Sequence, residues 1–266
     1  MPYGRDQAAL LAVEDLRKSY AQKSGWFRAA QVVPALRGVS LEIAAGSSVA
    51  ICGESGSGKS TLAKCICGIE NWDTGVLRYE GRDIGVLPAR ERLAALRDVQ
   101  LVFQAAASSL NPIFTAEEAI AEPLAIARRG TKAEQRRAAR ELMLAVGLDP
   151  EWAVRRPLEF SGGQRQRIAV ARALAGQAKV IIFDEAFTGL DLRTREEIML
   201  MLERLRAERT LTYIHISHDV EWAEKWVDEI FEMKDGRVVT HRAAGEERVS
   251  HTTEELGRER LAEVSR

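Results

Sequence analysis

The sequence predicts an α/β fold: a mixed, mainly parallel sheet, with an N-terminal antiparallel β subdomain attached and an α-helical subdomain inserted. Three observations predict it. Gly53-Glu54-Ser55-Gly56-Ser57-Gly58-Lys59-Ser60 joins an alternating apolar segment, 48–52, that reads as a strand to 61–66, which reads as a helix start. Lys179-Val180-Ile181-Ile182-Phe183-Asp184-Glu185 places four consecutive large apolar residues, as a parallel strand buried on both faces demands, ahead of two carboxylates. Between about residues 105 and 160 the character turns alanine-rich and helical, with charged faces.

The first of these is a P-loop in the strand–loop–helix context such a loop needs, so the core reads as a P-loop NTPase. Gly53, Gly56 and Gly58 let the backbone turn tightly enough for successive N–H groups to face phosphate oxygens, and the first helical turn adds its uncompensated donors. The nucleotide-binding set is therefore Gly53, Ser55, Gly56, Ser57, Gly58, Lys59, Ser60 and Thr61. Lys59 would reach the β- and γ-phosphates, and the Ser60 hydroxyl would ligate the bridging magnesium. The competing reading is a Gly/Ser-rich loop that merely caps a helix.

Composition sets the bounds. A chain of 266 residues allows one large domain or two modest ones, and a net charge of −1 leaves no footprint for nucleic acid or an anionic membrane. Cys52, Cys65 and Cys67 all lie in or just after the P-loop strand, which reads as buried free thiols in a reducing cytosol. No apolar run approaches the ~18–20 residues of a spanning helix, and no signal-peptide core opens the chain, so the expectation is a soluble, cytoplasmic polypeptide.

Taken in order, residues 10–16 read as a strand, followed by a polar loop carrying Trp26 and Phe27. Tyr20 is a candidate to stack on a nucleotide base, against the alternative of a core or edge residue. Strands at 35–43 and 47–52 flank Ala44-Ala45-Gly46, and 76–82 adds a β segment with a turn at Gly81, which together read as an antiparallel front part. Val99–Phe103 is a short apolar strand ending at Gln104. In the helical insertion, Thr131-Lys132-Ala133-Glu134 is a capping box for a helix running to about Val146, with Gly147 at its stop.

Phe160-Ser161-Gly162-Gly163-Gln164 then opens an amphipathic helix. Ser161 is a natural N-cap beside two glycines, a second ready anion site that is either simply a capped helix or the completion of another molecule's nucleotide site. Asp184 and Glu185 fall where ligands of open α/β sheets bind; Asp184 would hold magnesium through a water and Glu185 would poise the attacking water as general base. The strand 211–216 ends in Ser217-His218-Asp219, where His218 could bond the γ-phosphate; His215, inside the strand, reads as structural.

With these residues in place, the chain resembles the nucleotide-binding subunit of an ATP-binding-cassette (ABC) transporter over about residues 10–240. The P-loop, the Gln104 loop, the FSGGQ signature at 160–164, the Asp184-Glu185 strand, the Gly189-Leu190-Asp191 loop and His218 follow one another in the family's order. The resemblance implies an ATPase of ATP and Mg2+ with Glu185, His218 and Gln104 catalytic. It implies Ser60, Gln104 and Asp184 at the metal, and Ser161, Gly162, Gly163, Gln164 and Asp191 in the nucleotide site. It also implies a head-to-tail dimer in which each ATP lies between one subunit's P-loop and the other's signature.

Val102-Phe103-Gln104, Ser109-Leu110-Asn111-Pro112 and FSGGQRQR are similar to ATPases of oligopeptide, dipeptide and nickel importers. The implied partners are two transmembrane permease subunits, a second ATPase that is identical or homologous, and, indirectly, an extracytoplasmic solute-binding protein. The implied location is the cytoplasmic face of the membrane, and no nucleic acid is implied. The chain departs from the family at Ala105-Ala106, where Asp-Pro is usual, at Ala186, where proline is usual, and at Gly189, where alanine is common. The expected organisation is an ATPase domain over 1–240 and a short polar tail over 241–266, without the cysteine-rich extension of many peptide-importer ATPases. A non-transport accessory ATPase, as in phosphonate degradation, is the alternative; DNA- and ribosome-acting relatives would need a long coiled-coil or zinc-bearing insertion or two cassettes.

Overall fold

The computed structural model describes residues 9–22, 31–103 and 110–245. Strands β1 (Leu11–Gln22) and β2 (Gln31–Ile43) pair antiparallel, and β4 (Thr74–Tyr79) and β5 (Arg82–Asp83) extend the layer in the order β2-β1-β4-β5. Trp26 and Phe27 lie outside the described residues.

Strand β3 (Ser48–Cys52) does not continue this layer, although the sequence grouped it with the antiparallel front part. A turn in which the Ser47 hydroxyl donates to Ala44 O at 2.8 Å sends the chain into a second sheet. All five residues of β3 are buried, so both of its faces need cover, which the middle of a parallel sheet provides. That sheet runs β10-β9-β3-β8-β7-β6, from β6 (Val99–Phe103), β7 (Val180–Asp184), β8 (Thr212–Ser217), β9 (Glu229–Lys234) and β10 (Arg237–Ala243). Only β10 is antiparallel. It passes the expected domain end at 240, and Ala244 is buried beyond it, its N–H donating to Asp228 O at 2.9 Å.

The described residues also hold seven α-helices, α1 (Lys59–Ile66), α2 (Ala89–Ala95), α3 (Ala116–Ile126), α4 (Lys132–Ala145), α5 (Gly162–Ala175), α6 (Leu192–Arg209) and α7 (Val220–Glu224), and two short 3-10 turns, Pro150–Val154 and Pro157–Glu159. The Thr131/Glu134 box opens α4 and a second box, Thr115/Glu118, opens α3. Helix α4 stops before Gly147, whose φ of 73° suits glycine.

Period-2 alternation splits the parallel sheet between two cores. Val180 and Ile182 of β7 pack with α1 and the antiparallel layer, among Leu16, Val39 and Leu62; Ile181 and Phe183 pack with the helical layer, among Ile168, Ile198 and Leu202. Each such side chain contributes about 1.5–3 kcal/mol on burial, so both faces of the strand are fixed and its C-terminal end is held in place. No helix among the described residues is long and apolar enough to cross a membrane.

A nucleotide site at the C-terminal edge of the parallel sheet

Adjacent parallel strands end in line. Cys52 pairs with Ser217, Ile216 with Asp184, and Asp184 with Phe103. The described residues that follow are Gly53, His218 and Glu185, so the register alone brings three chain-distant motifs to the sheet edge where α/β proteins bind ligands. Gln104 itself lies outside the described residues.

The P-loop is shaped by close backbone approach. Gly53 has φ 148° and a Cβ there would meet Met233 O at 2.2 Å; Gly58 has φ 102° and a Cβ there would meet Ala35 O at 2.5 Å. Gly58 is also the N-cap of α1, which has no side-chain cap and no acidic residue in its first turn, leaving its amides for an anion. The buried Lys59 ammonium lies under the loop, donating to Gly53 O and Glu54 O at 2.7 Å each. Burial lowers its pKa, while the nearby charges of Glu185 and Asp184 oppose that shift. Ser55, Gly56 and Thr61 occupy the same loop and helix start, with Ser55 and Gly56 exposed, Thr61 half-buried and Ser57 buried.

Across 124 residues of sequence, Ser60 Oγ donates to Asp184 Oδ1 at 2.9 Å. Burial raises the Asp184 pKa, the Ser60 bond opposes that, and Glu185 adds to it; a cation here would relieve both burial and repulsion. Two adjacent hard oxygens suit magnesium. No group of three or more His, Cys, Asp or Glu side chains placed to hold a metal occurs among the described residues, so phosphate and water oxygens would complete the shell, as magnesium prefers. Glu185 is half-buried at φ 49°, its N–H donating to Ile216 O at 3.1 Å, which ties it to the neighbouring strand. His218 is exposed and makes no hydrogen bond to the described residues.

The other sequence candidates sit apart. No hydrogen bond or ion pair among the described residues links Ser161–Gln164 to the P-loop. Ser161 Oγ accepts from Gln164 N at 3.3 Å and Gln164 Oε1 accepts from Ser161 N at 2.9 Å. Gly162 is exposed, whereas Gly163 is buried, and a Cβ there would meet Thr194 Cγ2 at 2.3 Å, so helix packing alone requires that glycine. Asp191 caps α6, accepting from Thr194 N at 2.9 Å; these bonds hold its carboxyl below the usual range. Gly189 has φ 82°, which accounts for glycine there. Tyr20 is 37% exposed on β1, with Lys18 Nζ 5.3 Å from its ring. Cys52, Cys65 and Cys67 are free and buried, and burial pushes the Cys52 thiol up to about 11.

Sequence reasoning missed the β9–β10 hairpin as a buttress of this site. Gly236 N donates to Ser57 O at 3.1 Å, and Met233 O limits position 53. The signal was Asp235-Gly236, both at positive φ, the pair that a tight hairpin turn favours.

The chain matches the family model described as "ABC transporter" over residues 36–188. It is 38% identical over 231 residues to the oligopeptide transport ATP-binding protein OppF of Lactococcus lactis subsp. lactis, covering 86% of this chain and 72% of that protein. To the nickel import ATP-binding protein NikE of Shigella dysenteriae it is 36% identical over 237 residues, covering 89% of this chain and 88% of that protein. Among solved structures, a dimeric ATP-binding cassette in a post-hydrolysis state with ADP and Pi superposes with a TM-score of 0.76 at 31% identity, covering 88% of this chain and 99% of that one. The P-loop, the paired strand-end carboxylates and these likenesses converge: the chain belongs to the ABC transporter family and is an ATPase of its ATP-binding-cassette type.

Proposed function

We propose that this ATPase powers an importer of peptides or a related small solute such as nickel or a metal chelate. It would sit at the cytoplasmic face of the membrane under two permease subunits that receive solute from an extracytoplasmic binding protein. The relatives' names support the solute class, and one observation carries the chemistry: Ser60, next to Lys59, hydrogen-bonds Asp184, next to Glu185, at one strand end.

In this reading Lys59 and the α1 amides hold the β- and γ-phosphates, and Ser60 and Asp184 would hold magnesium, which when bound offsets the phosphate charge. Glu185 accepts the proton of the attacking water, and His218, exposed at the next strand end, bonds the γ-phosphate. Gln104 completes the metal and water contacts. The Ser161–Gln164 end of α5 and Asp191 serve the nucleotide of a second cassette, a copy of this chain or a homologue.

Glu185→Gln in the assembled transporter tests the chemical step. Single-turnover hydrolysis should fall ~10²-fold or more while ATP binding persists and the ATP-bound dimer accumulates. Hydrolysis at the parental rate would remove Glu185 from its role, and failure to co-purify with two permeases would remove the importer reading.

A further inference from the structure

His215 lies on β8 three residues before His218 and is 1% exposed. Its ring stacks on Phe183, centroids 5.1 Å apart at 16°, and meets the edge of Trp222 at 5.8 Å. A phenyl ring would fill such an aromatic niche without polar atoms to satisfy. Burial, with Arg206 and Arg195 nearby, holds the imidazole pKa down at about 3, so the ring is neutral and must carry one N–H donor and one acceptor. Neither ring nitrogen has a hydrogen-bond partner among the described residues, and the same is true of Trp222 Nε1 and Arg195 Nε. Leaving buried donors of this kind unpaired costs ~1–3 kcal/mol each, which selection removes unless the groups are used.

His215, Trp222 and Arg195 line one small cavity of ≈ 10 Å³, and Glu185 and Ser217 line it too. About 10–15 Å³ is what one water molecule requires, and it also requires two or more polar partners. The lining residues can supply such partners: His215, Trp222 and Arg195 carry the unpaired polar atoms, and Glu185 carries a carboxylate.

We propose that His215 is a positioning residue for Glu185, acting through a water held in the cavity that both line. The water accepts from the ring N–H and donates to the carboxylate, fixing its orientation toward the attacking water on its other side. The carboxylate, at φ 49° with only its backbone N–H tied to β8, otherwise has no side-chain hydrogen bond among the described residues. The inference rests on the assignment of Glu185 as the base, and its test separates the two.

Two measurements decide it. A high-resolution crystal structure of the nucleotide-free chain should show an ordered water within hydrogen-bond reach of the His215 ring and the Glu185 carboxylate, absent in His215→Phe. A cavity without that water overturns the proposal. In single-turnover hydrolysis by the assembled transporter, His215→Phe should lower the rate ~10-fold with ATP affinity unchanged, and His215→Gln, which keeps a donor and an acceptor, should stay within ~3-fold of the parent. In the Glu185→Gln background His215→Phe should cause no further loss, because the carboxylate it orients is gone. An equal loss in both backgrounds means that His215 acts only on the fold, and the proposal fails. If Glu185→Gln alone keeps the parental rate, the base assignment fails instead. Trp222→Phe, which removes the indole donor from the same cavity, serves if His215→Phe does not fold: a drop of ~3-fold, absent in the Glu185→Gln background, supports the shared water, and an unchanged rate contradicts it.

Discussion

Two helices of this chain begin at glycine-flanked N-termini, and they begin differently. Helix α1 starts after Gly58 with no side-chain cap and has a buried lysine as its first residue; helix α5 starts with a full Ser161/Gln164 capping box. Neither has an acid in its first turn, whereas α2, α3, α4 and α7 all do and α6, with none there, is capped by Asp191, so these two ends alone among the seven described α-helices are free of a built-in carboxylate competing for an anion. The α1 end offers both uncapped amides and a lysine, which on the proposed reading makes it an anion site by itself. The α5 end has already satisfied part of its donors, and on the proposed reading it completes a site whose charge is supplied elsewhere. That division of labour fits one ATP shared by two chains.

Removing the cation from α1 should have the largest effect. Lys59→Ala is expected to weaken ATP binding by ~10²-fold or more, the cost of truncating one partner of a buried charge contact. Equilibrium titration with labelled ATP at fixed magnesium checks it, with thermal unfolding on the same sample to separate loss of site from loss of fold. Unchanged affinity would mean that the charge asymmetry between the two helix ends has no functional meaning.

The α5 end should answer to packing before it answers to ligand. A methyl at Gly163 would fall 2.3 Å from Thr194 Cγ2, so Gly163→Ala should destabilise the chain by ~1–3 kcal/mol, the scale of overpacking. Adding Thr194→Ser, which deletes that methyl and keeps the hydroxyl, should recover most of the loss in urea unfolding. If it recovers none, the close contact between α5 and α6 is not what requires glycine.

Smaller still is the cap itself. Ser161→Ala should cost about 1 kcal/mol of unfolding free energy, typical of a lost N-cap, and leave ATP binding by the isolated chain within two-fold. A cost near zero would show that the capping box is not satisfying the helix end.

The strand ends were legible in the sequence because long apolar runs and their terminal residues carry the signal locally. Val180 to Phe183 announces a buried parallel strand, and Asp184-Glu185 marks its end whatever lies beside it. The Thr131 box was equally local. What was not legible depended on partners far along the chain. Strand β3 reads the same whether it joins an antiparallel hairpin or the middle of a parallel sheet; the buried pairing with β8 and β9 decides it. Met233 and Gly236 shape the P-loop from about 180 residues away, with only a turn signal to hint at their place. Helix α2 has no buried residue, so no apolar stripe announced it. His215 looked like any strand histidine, since its meaning depends on a cavity that spacing does not reveal.

On the proposed reading, the α1 end binds nucleotide within this chain and the α5 end acts on another chain's nucleotide. Ser161→Arg separates the two ends, because it places bulk and charge at an exposed helix end that no hydrogen bond or ion pair among the described residues links to the P-loop. ATP titration of the monomer, paired with light scattering after ATP addition, reads both halves. The expected result is an ATP affinity within about two-fold of the parent and no ATP-driven dimer, since a surface substitution remote from the P-loop perturbs little locally. Loss of ATP binding by the monomer would place both helix ends in one chain's site and contradict the account.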